Sequence, residues 1–319
     1  MSVTVRSFAK INLGLSIGPR RADGFHELRT VYQTIGLHDV IRVSLKRGSG
    51  IEILCADERV PKDESNTCYR IVEKAHGGLK IKSRVVIDID KRLPVQGGLG
   101  GASANAVSVL LALERLLKRS LHAEERLRIA SEVGSDLPLF LVGGTVLGIG
   151  RGEQVYPLQD LPAMPCVVVT PQVGVSTPKA FAAWDRKLTL PESSARMGEL
   201  GQGLSAWLSE SYSGAPRFAV RTKRGRRENP LFELVRTGIQ NGFEEVVFPD
   251  YPELSEVKSA LQRADAKYAS LSGSGSALYG LFATKEEARR AAIKLRKQGW
   301  VALATATLTR REYWKRLWS

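Results

Sequence analysis

The passage between residues 84 and 117 restricts the fold of this chain most. Arg84 to Asp90 reads as a strand. Val107, Leu110, Leu111, Leu113, Leu116 and Leu117 fill more than one face of a helix, so that helix is expected to be buried. Between them lies the glycine-rich run Pro94-Val-Gln-Gly-Gly-Leu-Gly-Gly101. Glycines let the backbone approach a ligand closely, and a helix starting just after them aims free N–H groups and a positive dipole end at it. Phosphate is the natural guest of such a loop, although a tight structural turn uses the same residues. The run is not a P-loop, because no Gly-Lys-Ser/Thr follows at that spacing. Nor is it a dinucleotide fingerprint, since Lys91-Arg-Leu-Pro94 separates it from the strand and the final glycine of G-x-G-x-x-G is missing. Ser103, in the first helical turn, either caps the helix or meets a phosphate oxygen or Mg²⁺.

Ahead of this passage the chain alternates cleanly. Ile11, Leu13, Leu15 and Ile17 fall on one side of a strand, and Lys10, Asn12, Gly14 and Ser16 on the other. Lys10 and Asn12 therefore point the same way, about 7 Å apart. A turn at Arg21-Ala-Asp-Gly24 leads to Phe25 and His26, and Ile35 to Leu45 reads as a returning strand. Ser65 or Asn66 is placed to cap a helix through Ile71, Val72 and Ala75. A helix from Ala123 ends near Gly134, after which Asp136, taken alone, is a helix-terminus carboxylate. Phe140 to Gly152 reads as strand and turn, carrying Gly143-Gly144 and Gly148-Ile-Gly-Arg-Gly152.

Prolines at 157 and 165 bracket a short linker, which predicts domains at 1–157 and 158–319. The second half opens with a strand at Cys166 to Thr170 and a helix start at Val175 to Phe181. Residues 186–230 show the least pattern. A second Gly/Ser loop, Leu271 to Gly275, runs into an apolar strand, Ala277 to Phe282. Thr284 and Glu287 form a capping box for a helix ending at Gly299, and Val301 to Leu308 alternates as a last strand. The class is α+β in two domains.

Composition narrows the function. With 43% hydrophobic and 25% charged residues, the chain is globular and not disordered. No apolar run reaches the roughly 18 residues of a membrane span, and Met1 to Lys10 does not read as a signal peptide, so no membrane partner is expected. Cys55, Cys68 and Cys166 are too few and too scattered for a disulfide framework or a zinc site, which points to a reducing cytoplasm. The net charge of +14 suggests an anionic partner of some kind. Its densest cluster, Arg221, Lys223, Arg224, Arg226 and Arg227, reads as a solvated loop. Without interleaved aromatic residues that reading is favoured over a nucleic-acid patch.

Three segments, in order, carry a family resemblance. Pro94-Val-Gln-Gly-Gly-Leu-Gly-Gly-Ala-Ser-Ala-Asn105 resembles the phosphate loop of the GHMP kinases, the superfamily of galactokinase, homoserine kinase and mevalonate kinase. Leu271-Ser-Gly-Ser-Gly-Ser276 is similar to their C-terminal glycine motif. Ala9-Lys-Ile-Asn-Leu-Gly-Leu15, Arg21-Ala-Asp-Gly-Phe-His-Glu-Leu28 and Gly36-Leu-His-Asp39 look like the branch acting on cytidine diphosphate methylerythritol. The matched segments run from residue 9 to residue 282.

The resemblance implies a two-domain GHMP kinase fold with the active site in the cleft between domains. It also implies ATP-dependent phosphorylation of the substrate's 2-hydroxyl, a step toward isoprenoid precursors in the methylerythritol phosphate route. Pro94, Gly97, Gly98, Leu99, Gly100, Gly101, Ala102, Ser103 and Ala104 would line the ATP phosphates, with Ser103 meeting Mg²⁺ and Asn66 in the adenine pocket. Asp136 would act as base and Lys10 as its cationic partner. Asn12 would hold the reacting end of the substrate; His26 would read the cytosine edge, with Phe25 and Phe181 stacking on its faces. The chain would be a monomer or weak homodimer with no nucleic-acid partner.

Some positions depart from the family pattern. Gly100-Gly-Ala-Ser-Ala104 stands where Gly-Gly-Gly-Ser-Ser is common, leaving Ser103 as the available hydroxyl. Asn241-Gly-Phe-Glu244 replaces Asn-Asp-Phe-Glu, which puts one polar contact in question. Rival readings are a GHMP kinase for another alcohol, a basic nucleic-acid-binding protein and a catalytically inactive binding protein.

Overall fold

Two long strands organise the N-terminal half. The computed structural model describes residues 1–187, 190–212 and 239–318. In it β1 (Ser2–Arg20) runs antiparallel along the whole of β2 (His26–Lys46), with register shifts at Phe8/Lys10, Asn12/Gly14 and Ile17/Arg20. The other edge of β2 is shared. Its later half pairs with β4 (Arg84–Asp90), which is joined in parallel by β3 (Ile51–Cys55). Its earlier half pairs with β5 (Thr145–Gly150), followed by β6 (Gln154–Pro157). Residues from Thr30 to Ile35 are all buried, including Thr30, Gln33 and Thr34. Alternation vanishes there because both faces of β2 are covered, and for this reason sequence periodicity locates only the part of the strand beyond Ile35.

The second sheet has the order β10-β7-β9-β8, antiparallel throughout, from β7 (Pro165–Val169), β8 (Tyr268–Leu271), β9 (Leu278–Leu281) and β10 (Ala302–Ala306). The change of sheet falls in the proline-bracketed stretch between β6 and β7. Leu15 and Ile17 of β1 reach into the core under this second sheet, so one strand serves both layers.

Helices cover the sheets as their sequences dictate. Asn66, not Ser65, caps α1 (Thr67–Leu79), its side chain accepting from the Cys68 amide. Residues 104–114 of α2 (Gly101–Leu117) are buried all round, against α1 and β1. α3 (Ala123–Val133) and the short α4 (Leu137–Phe140) complete that layer. α5 (Thr177–Lys187) and α6 (Leu190–Tyr212) follow β7, so part of the segment that reads as patternless in sequence is helical. The basic cluster at 221–227 lies outside the described residues.

α7 (Glu244–Asp250), α8 (Pro252–Arg263) and α9 (Lys285–Lys297) flank the second sheet, and α9 opens on the Thr284–Glu287 capping box. The terminal α10 (Arg310–Leu317) returns to the first core. There the Tyr313 hydroxyl donates to the Phe140 carbonyl at 2.7 Å, and Trp314 Nε1 donates to the Val142 carbonyl at 3.0 Å.

Candidate active site

The polar face of β1 is not solvated. Lys10 is 3% exposed, and its Nζ donates to Asn12 Oδ1 at 2.7 Å. Because an ammonium only donates, Asn12 must present its oxygen to Lys10 and its amide nitrogen away. That Nδ2 donates to Thr30 Oγ1 at 2.7 Å, and Thr30 donates on to the Gly14 carbonyl at 2.8 Å. From the second sheet, the Tyr279 hydroxyl donates to the Asn12 carbonyl at 2.8 Å. Asn12 is therefore held on every side.

Asp136 arrives from the residue before α4, where it makes no side-chain cap. Its Oδ2 lies 3.5 Å from Lys10 Nζ, and its Oδ1 accepts from the Tyr32 hydroxyl at 3.0 Å. Burial, then the Asp136 charge, pushes the Tyr32 phenol well above its ordinary pKa. The phenol stays protonated and donates.

Two glycine loops meet beside this pair. The Lys10 amide donates to the Leu99 carbonyl at 3.0 Å, pinning the first loop to β1. Ala277 N donates to the Gly97 carbonyl at 3.1 Å, and Ser272 Oγ to the Gly98 carbonyl at 3.0 Å, so the second loop buttresses the first. Gly98 has φ +74, and a Cβ there would overlap the Ser272 carbonyl oxygen. Only glycine fits that contact. Gly100 is the residue before α2, which has neither a side-chain cap nor an acidic residue in its first turn. Its leading N–H groups and dipole remain available to an anion.

Asp39 anchors the way into the loop. Its Oδ1 accepts from the Arg92 and Leu93 amides, both at 2.7 Å, and its Oδ2 from Lys91 Nζ at 2.8 Å and Asn105 Nδ2 at 3.0 Å. Sequence reasoning quoted this residue within a motif but gave it no role. The available signal was a carboxylate inside a buried strand.

A cavity of about 340 Å³ opens between the start of α1 and the first loop. Pro94, Gly97 to Ser103 and Asn66 line it, whereas Ala104 is buried in α2. Asn66 is committed to structure: Oδ1 accepts from Cys68 N at 2.8 Å, and Nδ2 donates to the Pro61 carbonyl at 2.6 Å. Ser103 is half-buried at the cavity wall.

His26 stacks on Phe181, ring centroids 4.7 Å apart and planes 13° from parallel, and Phe181 meets Phe243 edge-on at 4.9 Å. Phe25 is 51% exposed beneath the Arg151 guanidinium, 4.8 Å from its ring centre. His26 Nε2 lies 2.6 Å from Asp185 Oδ1, a partner the sequence reading did not find. Asp185 is one helical turn beyond Phe181, so both face the same ring. At the departure from the family pattern, a Cβ on Gly242 would come within 3.1 Å of the Trp184 ring, so a side chain there would need that ring to give by a few tenths of an ångström. Asn241 keeps its polar work, donating to the Leu271 and Gly273 carbonyls at 2.9 and 2.8 Å.

Family models match this chain in two places: the GHMP kinases N terminal domain at residues 65–144 and the GHMP kinases C terminal domain at residues 226–299. A 4-diphosphocytidyl-2-C-methyl-D-erythritol kinase of Solibacter usitatus (strain Ellin6076) is 37% identical over 287 residues, spanning 90% of this chain and 83% of the relative. The enzyme of the same name from Desulfitobacterium hafniense (strain Y51) is 34% identical over 309 residues, 97% of each. A crystal structure of 4-(cytidine 5′-diphospho)-2C-methyl-D-erythritol kinase superposes with a TM-score of 0.71 at 32% identity, over 96% of this chain and 99% of that one. Homoserine kinase from Cytophaga hutchinsonii superposes with a TM-score of 0.73 at 23% identity, over 97% and 95%, a likeness of fold alone.

Proposed function

The chain belongs to the 4-diphosphocytidyl-2-C-methyl-D-erythritol kinase family of the GHMP kinases, and from that premise we propose that it moves the γ-phosphate of ATP onto the 2-hydroxyl of 4-diphosphocytidyl-2-C-methyl-D-erythritol. The observation that carries the chemistry is the Lys10–Asp136 pair, 3.5 Å apart beside the N-terminus of α2.

Phosphoryl transfer asks a protein to align a hydroxyl and to neutralise charge on the phosphoryl oxygens. In this reading Asp136 Oδ2 takes the hydroxyl proton as the substrate oxygen bonds to the γ-phosphorus. The bond from that phosphorus to its bridging oxygen breaks, and ADP leaves with the electron pair. Lys10 balances the charge on the transferring group, and Asn12 fixes the Lys10 ammonium. The cavity beside Asn66 suits the adenine end, and the glycine backbone with Ser103 suits the phosphates.

Mg²⁺ fits this site in the manner usual for nucleotide enzymes, carried by the phosphates and not by a protein cage. Among the described residues no group of three or more His, Cys, Asp or Glu side chains could hold a metal, and Ser103, at the cavity wall, would offer its hydroxyl to the ion. When bound, the ion would offset phosphate charge.

The cytidine end is assigned to His26 and Phe181, with Asp185 orienting the imidazole. Phe25, next to His26 and exposed, is assigned as the second ring on the base. We read the reaction as a step toward isoprenoid precursors. We read the chain as cytoplasmic, a monomer or weak homodimer, with no nucleic-acid partner. The cytoplasmic reading is in keeping with the free thiols at Cys55, Cys68 and Cys166; no described helix is long and apolar enough to cross a membrane.

The test is ATP consumption with 4-diphosphocytidyl-2-C-methyl-D-erythritol beside mevalonate, homoserine and galactose. Turnover with the first alone is the expected result. Preference for another alcohol would sink the substrate assignment and leave the kinase assignment standing.

A further inference from the structure

Tyr32 reaches the reacting pair from a direction that none of the family motifs covers. It stands on β2, in register with Asn12 on β1 and Val146 on β5, and is 2% exposed. Its hydroxyl donates to Asp136 Oδ1, and its ring centre lies 5.6 Å from Lys10 Nζ. The two oxygens of Asp136 are thus divided, one toward a phenol and the other toward an ammonium.

The motif Gly148-Ile-Gly-Arg-Gly152 gains a reason from this. A Cβ at Gly148 would come within 2.5 Å of Tyr32 Cε2, and one at Gly152 would overlap the Tyr32 hydroxyl. Gly152 has φ +99, so conformation alone would call for glycine there. Gly148 has no positive φ, so only space demands it. These glycines form a slot around the phenol. A buried tyrosine needs some partner for its hydroxyl, but it does not need a carboxylate that also faces a buried ammonium.

We propose that Tyr32 is a positioning residue for phosphoryl transfer: its hydroxyl holds Asp136 Oδ1, so that Oδ2 meets the substrate hydroxyl, and Gly148 and Gly152 shape the slot that seats it. The inference rests on Asp136 being the base. In this role Tyr32 acts through Asp136 and not on the substrate directly.

Tyr32→Phe keeps the ring and deletes the bond. Turnover should fall about tenfold, as expected for one hydrogen bond to a charged group, while KM for ATP and for 4-diphosphocytidyl-2-C-methyl-D-erythritol stays within about twofold. Thermal stability should fall by no more than the loss of that one hydrogen bond. In an Asp136→Asn background the same substitution should cost less than about twofold more, because the two residues act as one unit. Gly148→Ala should also lower turnover, yet add little on top of Tyr32→Phe.

Normal turnover in Tyr32→Phe, with Asp136→Asn crippled, would overturn the positioning role and leave the kinase reading intact. Full additivity in either double variant would overturn it equally. Normal turnover in Asp136→Asn would bring down the base assignment and this inference together.

Discussion

Lys10 Nζ lies 3.5 Å from Asp136 Oδ2, joining the first strand of the fold to the residue that opens α4. Lys10 is buried and Asp136 half-buried, so the pair is screened far less than a surface ion pair would be. Asp136→Asn keeps the shape and removes the basicity. Turnover should drop by roughly 10² to 10⁴ with modest change in either KM, because the interaction belongs to the transition state. Steady-state kinetics on a variant with an unchanged melting curve is the check; near-normal turnover would reduce Asp136 to a helix-end carboxylate.

The contact between the two glycine loops is specific enough to test at Gly98. Alanine there combines a left-handed backbone with overlap against the Ser272 carbonyl oxygen. The loops must separate, so the phosphate path is distorted and KM for ATP should rise about tenfold or more, with a stability loss of about 1–3 kcal/mol. An unchanged KM for ATP in a folded variant would mean that the phosphates lie elsewhere.

Asp39 serves the same loop from below and should reveal itself in stability first. Asp39→Ala leaves the Lys91 ammonium buried without its carboxylate and frees two backbone amides, a loss of about 3–5 kcal/mol in denaturant unfolding. Surface pairs such as Arg92–Asp90 give the contrast, since Asp90→Ala should cost under about 1 kcal/mol. Equal effects would show that Asp39 is not the anchor.

At the far end of the site, binding and turnover should separate. His26→Ala removes the stacked ring and should raise KM for the cytidine substrate by the ~1–3 kcal/mol of unpaired polar groups, with a smaller effect on turnover. It should also blunt preference for cytidine over uridine forms. Asp185→Ala should do the same more weakly, about fivefold in KM, since it acts by orienting the imidazole. Intact affinity and intact base preference in His26→Ala would remove the cytidine pocket from this position.

Much of the site was legible before the structure because glycine loops, caps and strand faces are set by residues a few positions apart. The glycine run before α2, the second loop at 271–275, the Thr284–Glu287 box and the shared face of Lys10 and Asn12 all depend on local geometry. What was not legible has a common cause. Asp39, Tyr32 and Asp185 are ordinary polar residues until the fold supplies Lys91, Asp136 and His26 as partners. The His26 imidazole stacked on Phe181 is likewise a contact that only the fold supplies.

The sequence by itself determined the family, the two glycine loops and the shared side of β1 on which Lys10 and Asn12 lie, since short-range spacing and backbone freedom leave little choice. Tertiary structure alone decided that the polar face of β1 is dry, that Asp136 divides its oxygens between Tyr32 and Lys10, and that α10 returns to seal the first core against Phe140. The physical reason is burial: once both faces of β1 and β2 are covered, alternation no longer separates inside from outside, and every buried polar group must find its partner across space.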